Sequence, residues 1–347
     1  MKRAIIIIIL SAGAIGSAYF LFNGNNNPES TIGNVDVQEE KIVPEKPTEI
    51  IFFGDMMLDR RVFSLTAESG SWEYPFTGVD DLLSGSSANI ANLEGPVTSN
   101  LSESVKANGM RFTINENFVP ELSKRFAALG LANNHTLDFG EEGLRETKKY
   151  LSAGDISFFG DYFNRGDNTS VVIRVNGKKI GLAGYHALSG KNMENVVIDI
   201  QKMKQVCDLV IALPHWGEEY EFIPSNSQVV DAHTLADAGA DMVIGGHPHV
   251  IQPIEIYGRK PIFYSLGNFI FDQYFSEEVM EGLAIRVTIK EEGPIEYELI
   301  PLINDRLSRV RPMNRDEAAK VIKKITEASD MPETEKESLG LFHSFSL

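Results

Sequence analysis

Residues 245–249 read GGHPH and follow the apolar run ADMVI (240–244). Two imidazoles, His247 and His249, thus stand one residue apart just past a predicted strand. Four other apolar runs end in the same kind of chemistry. EIIFF (49–53) leads into Gly54-Asp55, and ANIANL (88–93) into Glu94. AALGLA (127–132) leads into Asn133-Asn134-His135, and DLVIAL (208–213) into Pro214-His215-Trp216. Four of the chain's seven histidines belong to this set. Any one of these side chains alone reads as a satisfied loop polar group, but five segments ending alike predict a shared metal site. Carboxylate, amide and imidazole together make a mixed oxygen and nitrogen donor set. Such a set suits Mn²⁺, Fe²⁺ or Zn²⁺ better than Ca²⁺, which prefers oxygen alone. One or two such ions would activate water and neutralise an anionic transition state. A histidine left outside the ligand shell would serve as general acid.

The elements that must position these groups are legible from the same pattern. From Glu49 onward short apolar runs alternate with helical stretches, which predicts an α/β layer fold. In open α/β sheets ligands gather beyond the carboxyl ends of the strands, where these residues fall. Helices are expected over 140–154, 193–208 and 226–240, and over 314–329 with Asn314 as its N-cap. VVIRVNGKKIGLAGY (171–185) predicts a hairpin turning at Asn176-Gly177, and PIFYSLGNFIF (261–271) a further strand turning at Gly267-Asn268. The acidic residues after 329 are expected to be loosely ordered. His233 falls within a helix pattern as a surface residue, His186 reads as a polar residue after the hairpin, and His343 as incidental.

Composition bounds the rest. The chain has 347 residues, a formal net charge of −17 and one cysteine, Cys207. That charge excludes a nucleic-acid binder, since phosphate backbones need basic surfaces. The single thiol excludes intrachain disulfides and cysteine-rich zinc modules. Met1-Lys2-Arg3 precedes AIIIIILSAGAIGSAYFLF (4–22), an uncharged stretch about 28 Å long as a helix, close to bilayer thickness. Residues 1–22 are therefore expected to be a single membrane anchor with the chain beyond it extracytoplasmic. The alternative is a signal peptide cleaved near Gly16-Ser17-Ala18 and a secreted product. Residues 23–48, rich in Asn, Pro and charge, read as a flexible linker.

The order Asp, acid, Asn-His, His, Gly-His-x-His resembles the calcineurin-like metallophosphoesterase superfamily. FGDMMLDR (53–60), ANLEGPVT (91–98), LANNHTLDFG (131–140), LPHWGEEY (213–220), GADMVIGGHPHVIQPIEIY (239–257) and IFYSLGNFIFDQ (262–273) resemble more closely the CapA-type poly-γ-glutamate capsule synthesis proteins, over roughly residues 49–300. The resemblance implies a four-layer α/β/β/α sandwich over 49–312, with a C-terminal helix and tail over 313–347. It implies one ion on Asp55, Glu94 and His249, and a second on Glu94, Asn134, His215 and His247. A single ion on Asn134, His215 and His247 is the other arrangement. His135 would be the catalytic acid, Arg60 and Asn268 would bind substrate, and Trp216, Glu219 and Tyr220 fall in matching blocks. Two departures from the wider superfamily stand out: Met57 where a histidine is usual, and Glu94 where the bridging residue is an aspartate. The implied role is a membrane-anchored participant in poly-γ-glutamate synthesis or export, acting on that polyanion beside membrane synthase or export subunits. Two alternatives are a secreted metal-dependent phosphoesterase and a non-catalytic scaffold for a membrane synthase.

Overall fold

Alternate residues of the first strand, β1 (Thr48–Met56), enter two different cores: Ile50 and Phe52 one, Ile51 and Phe53 the other. A strand apolar on both faces must lie between two layers, and the fold is arranged around it. The computed structural model describes residues 47–99, 111–166, 168–190 and 192–347. The expected anchor and nearly all of the expected linker lie outside these residues. Among the described residues no helix is long and apolar enough to cross a membrane.

After β1 come α1 (Arg60–Ser69), α2 (Asp80–Ser84), β2 (Ala88–Leu93), β3 (Val97–Thr98) and β4 (Ile114–Asn115). Next are α3 (Val119–Arg125), β5 (Ala128–Gly130), α4 (Gly140–Ala153) and β6 (Ser157–Phe159). The second half begins with the hairpin β7 (Ser170–Val175) and β8 (Lys178–His186). It continues with α5 (Glu194–Lys204), β9 (Leu209–His215), α6 (Asn226–Ala238) and β10 (Met242–Ile244). Then come β11 (Ile254–Tyr257), β12 (Lys260–Phe263), β13 (Asn268–Ile270), β14 (Glu281–Ile289), β15 (Glu296–Asn304) and β16 (Val310–Pro312). The chain closes with α7 (Arg315–Ala328), α8 (Glu333–Phe342) and β17 (Ser344–Ser346).

Two mixed sheets result. The first runs β16-β15-β14-β1-β2-β5-β6, with β13 also paired to β1 and β17 to β15. The second runs β11-β12-β10-β9-β8-β7. One core joins both sheets, setting Phe52, Ile90 and Phe159 with Ile211, Ile244 and Phe263. The outer face of the first sheet is covered from α1, α3 and α4 by Val62, Leu122, Leu144 and Leu151. That of the second is covered from α5 and α6 by Val196, Ile200, Ala232 and Leu235. This is a mixed α/β fold with helices outside two facing sheets. Within it β1, β2, β5 and β6 run parallel, as do β8, β9, β10 and β12, so their carboxyl ends share one edge of each sheet.

Helices and hairpin form close to the expected places. Asn176 and Gly177 both take positive φ, 47° and 81°, as a two-residue hairpin turn of this twist requires. Asn314 caps α7 in a reciprocal box with Glu317. Two expectations are corrected. The stretch 261–271 is not one strand: β12 belongs to the second sheet and β13 to the first, with Gly267 turning between them at φ 65°. The residues after 329 are not loose either. They form α8 and β17, because Leu339 and Phe345 are buried and Phe345 stacks on Tyr297 at 5.1 Å between centroids.

The turn at Gly267 matters to everything that follows. A Cβ at Gly54 would lie 1.9 Å from the Gly267 carbonyl oxygen, so β1 and this turn touch backbone to backbone. Asp55 N donates to that same carbonyl at 3.0 Å. The contact places Asp55 opposite Asn268 in the ladder.

Candidate metal centre

Asp55 is the hinge between the sheet and the cluster. It lies in register with Asn92 of β2 on one side and Asn268 of β13 on the other, and it is fully buried. Glu94 follows β2, the Asn133-Asn134-His135 segment follows β5, His215 ends β9, and His247 and His249 follow β10. All come from the carboxyl ends of parallel strands. Gly246 lets the two sheets meet here, since a Cβ on it would lie 2.6 Å from Asp55 Oδ1.

The contacts are close. The His247 backbone N–H donates to Asp55 Oδ2 at 2.9 Å. His249 Nδ1 is 2.9 Å from Asn268 Oδ1 and 3.5 Å from Asp55 Oδ2, while its Nε2 is 3.7 Å from Glu94 Oε1. His135 Nε2 is 3.8 Å from the same Glu94 oxygen. His215 Nε2 meets Asn134 Oδ1 at 2.8 Å, and the His215 and His247 rings are 4.8 Å apart between centroids. The structure therefore brings together Asp55, Glu94, Asn134, His135, His215, His247 and His249. Ligand atoms of Asp55, Glu94 and His249 all lie within 4.8 Å of one another, as do those of Glu219, His247 and His249.

Electrostatically the cluster is strained toward neutrality. Burial pushes the Asp55 carboxyl up, against hydrogen bonds from the His247 backbone and Asn92 that favour the anion. Burial, then the like charge of Asp55, holds Glu94 well above the usual carboxylate range. Burial, then neighbouring imidazoles, holds His215 well below its ordinary value, and burial first takes His247 and His249 down to about 4. Among the described residues, Glu94 Oε1 and His247 Nδ1 are buried polar atoms with no hydrogen-bond partner. Leaving such atoms unpaired costs about 1–3 kcal/mol each. His247 and His249 also hold positive φ, 94° and 58°, which residues with a β-carbon adopt at a cost. Deprotonated imidazoles, buried carboxylates and orphaned lone pairs converging on one point are the donor set a divalent cation needs.

Several partners were not legible in sequence. Asn92 stands at the centre: its Nδ2 donates to Asp55 Oδ1 at 2.8 Å and to Glu94 Oε2 at 3.4 Å, and its Oδ1 accepts from Asn133 Nδ2 at 3.0 Å. The available signal was its position two residues before Glu94, on the strand that leads into it. Asp138 orients His135, its Oδ2 lying 2.7 Å from Nδ1, and the imidazole stacks on Phe112 at 3.9 Å. Asn268 reaches the centre through His249 and is itself fully buried. Arg60 is paired with Asp272 and lies over Phe112 and Phe271. Met57 is buried with its sulfur accepting from the Asp59 N–H at 3.1 Å, so the thioether is already engaged. Trp216 is buried and donates to the Tyr264 carbonyl, whereas Tyr220 is half-exposed above His249, with the rings 6.2 Å apart. His186 is fully buried at the end of β8, opposite His215 in the ladder with rings 6.1 Å apart. His233 pairs with Glu255 at 2.7 Å and stacks on Tyr257, away from the cluster. His343 closes α8 as its C-cap.

The family profile for the bacterial capsule synthesis protein PGA_cap matches residues 49–273. The chain belongs to this family. The PGA biosynthesis protein CapA of Bacillus subtilis is 29% identical over 287 residues, 78% of this chain and 75% of that one. The capsule biosynthesis protein CapA of Bacillus anthracis is 30% identical over 292 residues, 76% of this chain and 70% of that one. A solved structure of a novel phosphatase from Mycoplasma pneumoniae aligns at 13% identity and a TM-score of 0.42, covering 76% of this chain and 91% of that one. The family match spans all the clustered residues from Asp55 to His249, and Asn268 as well.

Proposed function

We propose that this protein takes part in making or exporting poly-γ-glutamate capsule, as an extracytoplasmic, membrane-anchored protein with a divalent metal centre. Family membership supports the capsule role, and the names of the Bacillus relatives support the polymer. The convergence of Asp55, Glu94, His247 and His249 around orphaned lone pairs carries the metal reading. Asp55, Glu94 and His249 would hold one ion; Asn134, His215 and His247, with Glu94 between, would hold another. The fold this implies is the four-layer metallophosphoesterase-like sandwich. The residues before Thr48 would supply the anchor, and a membrane synthase or export subunit would be the partner.

A bound Mn²⁺, Fe²⁺ or Zn²⁺ supplies Lewis acidity and a more acidic water. The protein's own groups do the rest. Asp138 Oδ2 accepts a hydrogen bond from His135 Nδ1–H, so Nε2 is the atom that takes or gives a proton beside Glu94. Asn92 keeps Asp55 and Glu94 at a fixed separation. Arg60, braced by Asp272 and two aromatic faces, offers a cation to an anionic substrate in an otherwise acidic protein.

The test is metal loading of the full chain in mild detergent after chelation. Elemental analysis should give one or two Mn²⁺ per chain, and the length distribution of added poly-γ-glutamate should change only in the loaded sample. A folded chain that takes up no metal sinks the reading. Loading should also depend on pH in a defined sense. Burial takes the imidazoles of His247 and His249 down to about 4, so they are mostly neutral over the range and contribute little proton release. The raised Asp55 and Glu94 carboxyls bind protons that the ion must displace. Affinity should therefore fall as pH drops from neutral toward 4.5, with proton release read by calorimetry in buffers of different ionisation enthalpy. Affinity rising over that range would contradict the assignment.

Phosphoester hydrolysis is the second reading, favoured by the Asp138–His135 pair beside the ligand cluster. The engaged thioether of Met57 weighs against it.

A further inference from the structure

Glu219 belongs to neither ligand set that the strand ends define, yet one of its carboxylate oxygens lies within 4.8 Å of ring nitrogens of both His247 and His249. It is exposed, while both imidazoles are buried. The loop that carries it is fixed to the histidine loop, because the Tyr220 N–H donates to the Pro248 carbonyl at 2.8 Å. Gly217, at φ 86°, passes so close to Gln228 that a Cβ would lie 2.6 Å from its Oε1. Gln273 holds the other side of the loop through the Tyr220 hydroxyl at 3.2 Å. The backbone under Glu219 is thus anchored at three points, and its exposed carboxylate is hydrogen-bonded by the Tyr220 hydroxyl.

The imidazole geometry says what this carboxylate faces. Asn268 Nδ2 donates to Gln273 Oε1 and the Val279 carbonyl, which leaves its Oδ1 to accept from His249 Nδ1. The single lone pair of His249 is then on Nε2. His247 Nδ1 is buried and has no partner among the described residues. The unpartnered Nδ1 of His247 and the Nε2 of His249 thus belong to two buried imidazoles that each bring a ring nitrogen within 4.8 Å of the Glu219 carboxylate.

We infer that Glu219 is an outer ligand, its carboxylate approaching from the solvent side the ions assigned above to His249 and to His247. This depends on the reading that the cluster binds such an ion. It makes the centre asymmetric: Asp55 and Glu94 approach from the buried side, and Glu219 from the open side where substrate enters. An anionic substrate would compete with Glu219 for that open position.

The test compares the full chain with Glu219→Gln and Glu218→Gln, chelated and titrated with Mn²⁺ by calorimetry and water-proton relaxation. Glu218 is the neighbouring exposed carboxylate, so its loss removes the same charge without the ligand. Glu219→Gln should bind Mn²⁺ about tenfold or more weakly, on the scale seen when groups supporting a metal ligand are removed. The ion it binds should carry one more exchangeable water, and Glu218→Gln should match the parent. Circular dichroism should be the same for all three, since both side chains are exposed. Parent-like Mn²⁺ affinity and hydration in Glu219→Gln would overturn the inference and leave the metal centre standing. Equal losses in both variants would also overturn it, as an effect of charge at a distance. A parent chain that binds no Mn²⁺ would remove the metal reading and this inference together.

Discussion

Replacing Glu94 with glutamine should abolish metal loading and at the same time make the metal-free chain more stable. The two effects have one origin. Glu94 is fully buried, its Oε1 has no hydrogen-bond partner among the described residues, and Asp55 adds a like charge. A buried, poorly paired carboxylate costs several kcal/mol or holds a proton it would otherwise lose. Glutamine keeps the volume and removes the charge. Its amide nitrogen, placed where Oε1 now stands, would lie 3.7–3.8 Å from the Nε2 atoms of His249 and His135, which can accept from it after small adjustment. A gain of about 1–2 kcal/mol corresponds to about 1.5–3 °C in thermal midpoint for a domain of about 300 residues. Mn²⁺ affinity should fall by about 100-fold or more, because a neutral amide replaces the anion expected to bridge the ions. Calorimetry and a thermal scan on the same chelated sample read both. A variant that is less stable and still loads Mn²⁺ normally would show that Glu94 is only structural.

His135→Ala should separate chemistry from metal binding. Removing a positioned acid or base commonly costs about 10²–10⁴ in rate. His135 is held for such a role: Asp138 at Nδ1, Phe112 against the ring face, and Asn133 Oδ1 accepting from its backbone N–H at 3.1 Å. Its Nε2 points at the carboxylate cluster without displacing any of the other imidazoles. The variant should load Mn²⁺ within about threefold of the parent and lose nearly all metal-dependent change in poly-γ-glutamate length. Capsule yield in cells would then fall with it. Unchanged yield alongside normal metal loading would point instead to a scaffold whose metal is structural.

How much of this could be read from residues alone depended on distance along the chain. Asp55, Glu94, Asn134, His215, His247 and His249 each end a strand of local apolar pattern, and the parallel arrangement of those strands brings them to one edge. Their recurrence was therefore readable without knowing the pairings. Asn92 was hidden because ANIANL reads as an apolar run, and only the β1 ladder shows that its amide faces Asp55. Asp272 beside Arg60 and Gln273 beside Tyr220 are long-range meetings that no local pattern encodes. The C-terminal residues misled for a related reason. Glu333 to Phe342 is polar in composition, but Leu339 and Phe345 find an existing apolar surface at β15. Residues 261–271 looked continuous because β-type residues fill both halves; the division at Gly267 is set by contact with Gly54, which lies far away in sequence.

The pairing of Asp55 with Asn268 also sets an order of events during synthesis. The first strand of the domain is a central strand of its sheet, and two of its neighbours, β13 and β14, are among the last strands made. Until they emerge, Ile50 to Phe53 has no finished surface to join, and such long-range pairing folds slowly and exposes apolar edges meanwhile. His249, whose orientation depends on Asn268, cannot be set earlier either. A nascent chain stopped before residue 268 would carry all six of the expected metal ligands and still lack the geometry to hold an ion. Metal capture would thus report completion of the fold, and a chaperone or a metal supply acting on this protein would have to act late.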